Sequence, residues 1–199
     1  MNKLKIYIDF DNTICMSDLS LVNTWNELNP NNKIEYTKEH DWNFYPMIKN
    51  REQLKELFKM FDRKEFYSDR NFRWVDDIVK QVLDKLIEYN CDITIITKHK
   101  ESRKPLTKQF IEGQFGNKIK IIFTEDFNKS KHIDKCDIFI DDRIDACEDV
   151  LQSNKAKEVL CFGNYDWNKN GWNGQKFTTW EELWFYIVGM YGDRLYKAI

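Results

Sequence analysis

The sequence predicts an α/β fold in which a parallel sheet carries helices on both faces. Three observations point there. Short β-branched apolar runs alternate with segments of helical periodicity. The runs are nearly continuous in apolar character, as strands buried on both faces are. Acids, hydroxyls and a lysine stand at or just beyond the ends of these runs, where an open parallel sheet places its ligand crevice.

In chain order, Lys5–Ile8 is the first expected strand. A helical pattern over Val75–Tyr89 precedes the second run, Asp92–Ile96. Arg103–Phe115 is the helix leading to Ile119–Phe123, and Asp137–Ile140 follows. Ile144–Ser153 then connects to the last run, Glu158–Phe162. Asn164 to Gln175 reads as a turn-rich loop. A final helix begins near Trp180, where Thr179 and Glu182 fit a capping box. The interval between the first two strands is anomalous: about 80 residues separate Ile8 from Asp92, far more than one crossover requires. It holds two further helical patterns, near Asp18–Leu28 and Arg51–Phe61, with a polar, aromatic-rich stretch between them. The expected division is therefore a core of residues 1–15 and 75–199, with residues 16–74 forming a small helical cap inserted after the first strand.

Composition narrows the function classes. A chain of 199 residues has length for one domain with a modest insertion. With 31 basic and 33 acidic residues the net charge is -2, so no strong field calls for polymeric nucleic acid or a membrane surface. The five cysteines are widely spaced, odd in number and free of any C-x-x-C pair, as expected of reduced thiols used mainly as small apolar fillers. With no secretory segment and no apolar run of membrane length, a cytoplasmic location is expected.

Asp9-Phe10-Asp11-Asn12-Thr13 closes the first strand. Side chains alternate along a strand, so Asp9 and Asp11 can lean into one cleft while Phe10 points away. Asp9 is then placed to attack phosphorus, and Asp11 to manage the proton of the leaving oxygen. Thr97 and Lys98 end the second strand, Asp141-Asp142-Arg143 follows the fourth, and Lys131 stands ten residues before Asp141. Several carboxylates beside a phosphate dianion repel one another by about 4 kcal/mol per close pair at an effective dielectric near 20. A divalent cation is therefore expected, and all-oxygen ligation favours Mg2+. Lys131 offsets charge on the transferring group, and Thr97 offers a hydrogen bond to it. Each feature alone has a blander reading, since an Asp pair after a strand commonly caps a helix or makes a turn. Their joint occurrence at strand ends carries the inference.

The order Asp9-x-Asp11, Thr97, Lys131, Asp141-Asp142 resembles the four motifs of the haloacid dehalogenase-like (HAD) phosphohydrolases. The stretch from Lys131 through Ile140-Asp141-Asp142-Arg143, with Asp166-Trp167-Asn168 and Trp180-Glu181-Glu182 beyond it, is similar to the 5'(3')-deoxyribonucleotidases. The resemblance implies a Rossmann-like sheet of strand order 5-4-1-2-3, a small cap and Mg2+-dependent hydrolysis of phosphomonoesters through an aspartyl-phosphate. It implies Asp9 as nucleophile and Asp11 as acid/base, with the Asp11 carbonyl on the metal. Thr97 and Lys131 become phosphate ligands, and Asp141 or Asp142 the remaining metal ligand, with Asp141 favoured; Lys98 departs from the family pattern and adds a second candidate phosphate-binding cation. Asn12 departs from the glycine common in relatives, although Asn tolerates left-handed backbone better than most residues.

The substrate question falls to the cap, where Trp25, Trp42, Phe44, Tyr45, Phe72 and Trp74 gather in or beside the inserted segment. Aromatic stacking on a base is worth about 1–3 kcal/mol, which suits a nucleoside monophosphate, although a small cap also needs aromatics for its own core. Asp41–Tyr45 is the expected pocket lip, and Trp42, Phe44, Tyr45 and Trp74 are the expected substrate contacts. The leading expectation is a 5'-nucleotidase acting on (deoxy)nucleoside monophosphates. A sugar-phosphate phosphatase and a non-catalytic nucleotide-binding module are the alternatives. A homodimer is compatible with all three.

Overall fold

A computed structural model describes residues 3–196. Six strands form one parallel sheet: β1 (Lys5–Ile8), β2 (Asp92–Lys98), β3 (Lys120–Thr124), β4 (Cys136–Asp141), β5 (Ala156–Phe162) and β6 (Gln175–Phe177). Their spatial order is β3-β2-β1-β4-β5-β6, a Rossmann-like arrangement. Read from the opposite edge, the first five follow the expected 5-4-1-2-3. The sixth was not anticipated, because Gln-Lys-Phe is too short and too polar to register as an apolar run. It pairs with β5 through Leu160↔Gln175, Cys161↔Lys176 and Phe162↔Phe177.

The central strands are apolar because both sheet faces are covered. Ile6, Ile8, Ile93, Ile95, Ile138, Ile140 and Leu160 are all buried in the larger core. Helices α3 (Val79–Glu88), α4 (Lys104–Phe115) and α6 (Trp180–Tyr196) pack into it, while on the other face Tyr7, Ile96, Phe139, Val159 and Cys161 form a second core with Cys147 and Val150 of α5 (Ile144–Gln152). Helix α3 buries Val79, Val82, Leu83 and Leu86, the i, i+3, i+4, i+7 spacing of a single stripe. At the start of α6 the expected capping box is formed: the Glu182 N–H donates to Thr179 Oγ1 at 3.2 Å, and the Thr179 N–H donates back to Glu182 Oε2 at 3.2 Å. Among the described residues no helix is long and apolar enough to cross a membrane.

The segment between β1 and α3 holds α1 (Ser17–Leu28), α2 (Arg51–Phe58) and two short 3-10 turns, Lys59–Asp62 and Lys64–Tyr67. The helical pattern expected to reach Phe61 thus tightens after Phe58. Its two ends are tied side by side: the Met16 N–H donates to the Arg73 carbonyl at 2.8 Å, and the Val75 N–H to the Ile14 carbonyl at 3.0 Å. The insertion therefore leaves and rejoins the core at one place, just after the loop that follows β1 and carries Asp9 and Asp11. All five cysteines are free and buried.

Topology fixes where a ligand can sit. From β1 the chain crosses to β2 and β3 on one side, then returns to β4 on the other. The carboxyl ends of β1 and β4 thus border the switch point. Pairing continues past the end of β1, with the Asp9 N–H donating to the Ile140 carbonyl at 2.9 Å. Trp180 secures this loop from below. Fully buried, it donates its indole N–H to the Thr13 carbonyl at 2.8 Å. Trp180→Ala should lower the unfolding free energy by about 3–5 kcal/mol in urea melts, reflecting the cavity and the freed carbonyl.

Candidate active site

Two compartments meet at the loop after β1. The inner one is a buried charged cluster. Asp9, Asp141 and Asp142 each offer a carboxylate oxygen within 4.8 Å of the others. Lys129 sits among them, 2% exposed, donating from Nζ to Asp9 Oδ1 and to Asp141 Oδ2, the latter at 2.7 Å. The second Asp141 oxygen accepts the Arg143 N–H at 2.9 Å. Asp142 Oδ2 accepts the Trp167 indole N–H at 2.9 Å. Among the described residues, Asp9 Oδ2 and Asp142 Oδ1 are left with no protein donor.

One ammonium does not balance three buried carboxylates. Burial, reinforced by Asp141 and Asp11, pushes the Asp9 carboxyl up to about 7 against the pull of Lys129. Burial and the neighbouring Asp141 and Asp9 push Asp142 well above the usual carboxylate range. Lys129 stays charged, because Asp141 and Asp9 outweigh the desolvation that would lower its pKa. Free oxygens on two carboxylates in an acid excess are the donor set of a hard cation. The residues fit Mg2+: Asp9 and Asp142 would hold it through these oxygens. Asp141, favoured from the sequence, already has both oxygens engaged. Asp11 can join only through its main-chain carbonyl, because its carboxylate is filled.

That filling is the second feature of the site. Arg103, in the turn opening α4, grips Asp11 bidentately, Nη1 to Oδ2 at 2.9 Å and Nη2 to Oδ1 at 2.7 Å. His99 Nε2 lies 3.0 Å from Oδ2, and the Ser17 hydroxyl donates to Oδ1. Burial alone would raise the Asp11 pKa, but Arg103 and His99 overcome it and hold the carboxyl well below its ordinary range. Burial and Arg103 lower His99 to about 4, so its ring is neutral near pH 7. A carboxylate only accepts, so Nε2 carries the proton. Nδ1 then accepts from the Thr107 hydroxyl at 3.0 Å, Thr107 accepts from Tyr67 at 2.5 Å, and Tyr67 accepts from Arg103 Nε at 3.2 Å. The hydrogen bonds close a ring that begins and ends on Asp11 and draws in Tyr67 from the inserted segment.

The outer compartment is a cavity of about 680 Å³ bordered by Asp11, Asn12, Ser17 and Asp18 on one side. Trp42, Phe44, Phe58, Phe61 and Phe127 supply its apolar wall, and Lys98 and His99 lie on the β2 side. Phe127 is clasped by two cations, Lys98 Nζ at 3.8 Å and Arg143 Cζ at 3.9 Å from the ring centroid. Trp42 packs on Trp167 at 4.3 Å, so one indole joins the lip to the Asp142 carboxylate. Asn12 takes φ 54°, the left-handed backbone that its side chain tolerates.

Asp9, Asp11, Asp141 and Asp142 converge at the switch point, and Lys98, Trp42 and Phe44 line the cavity. Four expected positions lie elsewhere. Lys131 is exposed on the 3-10 turn Lys129–His132, and Lys129 takes the place expected for it. Spacing could not separate two lysines on one turn; burial does. Thr97 is buried at the end of β2 without lining the cavity. Tyr45 is 59% exposed and faces a different surface depression. Trp74 packs against Phe72 and Phe110 at 5.0 and 5.9 Å, filling the seam between insertion and core. Arg103, His99, Ser17 and Lys129 were not anticipated. Their sequence signal is slight: polar residues shortly after β1, β2 and β3, in a chain rich in such residues. Cys15 is buried, and burial pushes its thiol up to about 12.

No protein-family profile matches the chain, and no curated protein matches it either. Solved structures do. The putative HAD-hydrolase YfnB from Bacillus subtilis, bound to magnesium, aligns with a TM-score of 0.58 at 13% identity, over 94% of this chain and 99% of that one. A HAD family hydrolase from Deinococcus radiodurans R1, with bound phosphate and sodium, aligns at 0.57 and 9% identity over 97% of each chain. A predicted phosphoglycolate phosphatase from Haemophilus somnus 129PT aligns at 0.55 and 13% identity, over 92% of this chain and 97% of that one. The chain shares the fold of HAD-superfamily hydrolases over nearly its whole length.

The two lysines can be told apart directly. Lys129→Met should cost about 3–5 kcal/mol of stability by stranding two buried carboxylates, whereas Lys131→Met should stay within about 0.5 kcal/mol of the parent in parallel denaturation curves.

Proposed function

We propose that this protein is a Mg2+-dependent phosphomonoesterase acting on (deoxy)nucleoside 5'-monophosphates through an aspartyl-phosphate intermediate. The observation that carries the reading is the position of Asp9. It keeps one oxygen free in a buried cluster of Lys129, Asp141 and Asp142, two residues from a carboxylate that borders an aromatic cavity.

Asp9 attacks phosphorus, forming the Asp9 O–P bond as the ester P–O bond breaks. The alkoxide leaving group takes a proton from Asp11. A water molecule then gives a proton back to the Asp11 carboxylate and attacks phosphorus, breaking the Asp9 O–P bond and releasing phosphate. Mg2+, held by Asp9 and Asp142, would supply charge neutralisation for the transferring group. Lys129 pulls Asp9 toward the ionised form against its burial and offsets charge on the transferring group, with Lys98 as a further phosphate ligand. As described, Asp11 is ionised and gripped by Arg103, the form suited to accept a proton from water. Protonating the leaving group requires that grip to loosen, and the phosphate dianion of an incoming substrate is a competing partner for the guanidinium.

A cavity of about 680 Å³ walled by Phe44, Phe58, Phe61 and Trp42 suits a stacked base better than a small hydrophilic acid. Phosphoglycolate, the substrate named for one structural neighbour, supports a second reading in which the alcohol is small. A panel of nucleoside monophosphates, sugar phosphates and phosphoglycolate at matched concentration with Mg2+ separates the two. Nucleotides should lead by at least about fivefold in kcat/KM, reflecting about 1–3 kcal/mol of stacking. Asp9→Asn should abolish turnover with an unchanged circular dichroism spectrum, and parental activity in that variant would remove the proposal.

A further inference from the structure

Asp18, the second residue of α1, is 7% exposed and lines the cavity. Acids commonly stand in the first turn of a helix, where the backbone dipole favours them, but that role does not call for burial. Three segments hold this side chain in place. Asn12 Nδ2 donates to Asp18 Oδ2 at 3.3 Å, and Asn12 is itself fixed by the Ser17 N–H on its Oδ1 at 3.0 Å. His40, from the loop after α1, brings Nε2 to 3.5 Å from the same Oδ2. Its Nδ1 lies 2.9 Å from the Asp41 carbonyl and must donate to it, which turns Nε2 toward Asp18. The His40 ring also stacks on Phe44 at 5.0 Å, so its orientation is locked by the cavity wall.

All these partners act on Oδ2. Oδ1 has no donor among the described residues, yet it is not sealed in, since the one sealed and unpartnered side-chain atom among them is Thr13 Oγ1. An unpaired acceptor of this kind, on a residue that lines the cavity, is open to a ligand there. Ser17, its neighbour in sequence, hydrogen-bonds Asp11, so Asp18 stands close to the reacting end and beside the aromatic wall. The substrate part within reach is the one joined to the phosphoester.

We propose that Asp18 is a specificity-determining residue whose Oδ1 accepts a hydrogen bond from a sugar hydroxyl of the substrate. This rests on the phosphatase reading above and deepens it: the preferred substrates carry a hydroxyl near the scissile ester, and analogues lacking it leave a buried carboxylate oxygen unpaired.

The test compares kcat/KM for 2'-deoxyadenosine 5'-monophosphate and 2',3'-dideoxyadenosine 5'-monophosphate in the parent, Asp18→Ala and Asp18→Asn. The parent should prefer the hydroxylated substrate by at least about tenfold, as expected for a hydrogen bond to a charged group. Asp18→Ala should bring the ratio to within about twofold of unity, and Asp18→Asn, which keeps a neutral acceptor, should fall between. A merely structural role would lower both rates together and leave the ratio unchanged, which would overturn the proposal. So would a parent that does not distinguish the two, which leaves the phosphatase reading standing. If Asp18→Ala does not fold, the ratio in Asp18→Asn decides, an unchanged value being contrary. A parent that hydrolyses no phosphomonoester overturns both.

Discussion

Three carboxylates and one ammonium share a buried space where β1 and β4 end, and much of the molecule is arranged around that imbalance. Packing Asp9, Asp141 and Asp142 within 4.8 Å of one another is unfavourable by several kilocalories per mole even at an effective dielectric near 20. Lys129 relieves part of it by bridging Asp9 and Asp141. Trp167 and the Arg143 N–H satisfy further lone pairs, and the remaining free oxygens face a demand for positive charge. The parallel sheet makes the cluster affordable, since Ile8 and Ile140 on one face and Tyr7 and Phe139 on the other anchor the strands and hold the acids at fixed positions.

The second acid, Asp11, sits in the opposite electrostatic state. It is 27% exposed toward the cavity yet saturated by Arg103, His99 and Ser17. Two carboxylates two residues apart therefore differ in kind: Asp9 is pushed toward neutrality by burial, while Asp11 is held ionised by a guanidinium. Such a division suits unequal chemical roles. The Arg103–Tyr67–Thr107–His99 ring reaches into the inserted segment, so the state of Asp11 is physically linked to where that segment packs. Arg103 is also stacked over Phe61 at 4.1 Å, which makes the same cation part of the cavity wall.

Much of this was legible in the sequence because it rests on local signals. Continuous apolar runs marked five strands, periodicity marked the helices between them, and Asp9, Asp11, Asp141 and Asp142 followed from what stands at strand ends. What was not legible depends on three-dimensional choice. Lys129 and Lys131 lie on one 3-10 turn, and only the turn's orientation selects which is buried. Arg103 meets Asp11 because the opening of α4 is packed against the insertion by Phe72, Phe110 and Tyr67. The aromatic residues of the insertion were visible as a group, but composition does not say which face a cavity: Trp42 and Phe44 do, whereas Trp25 donates its indole N–H to the Asn32 carbonyl and Trp74 closes a seam. The strand β6 escaped because edge pairing does not need an apolar signature.

The most direct test of the central claim, that this acid excess is a cation site, is the thermal denaturation of the metal-free protein titrated with Mg2+. The account predicts a melting temperature that rises with Mg2+, equivalent to about 2.7 kcal/mol at a hundredfold excess over Kd, and that loses this rise in Asp142→Asn. An unchanged melting temperature in the parent, or an equal rise in the variant, would contradict it.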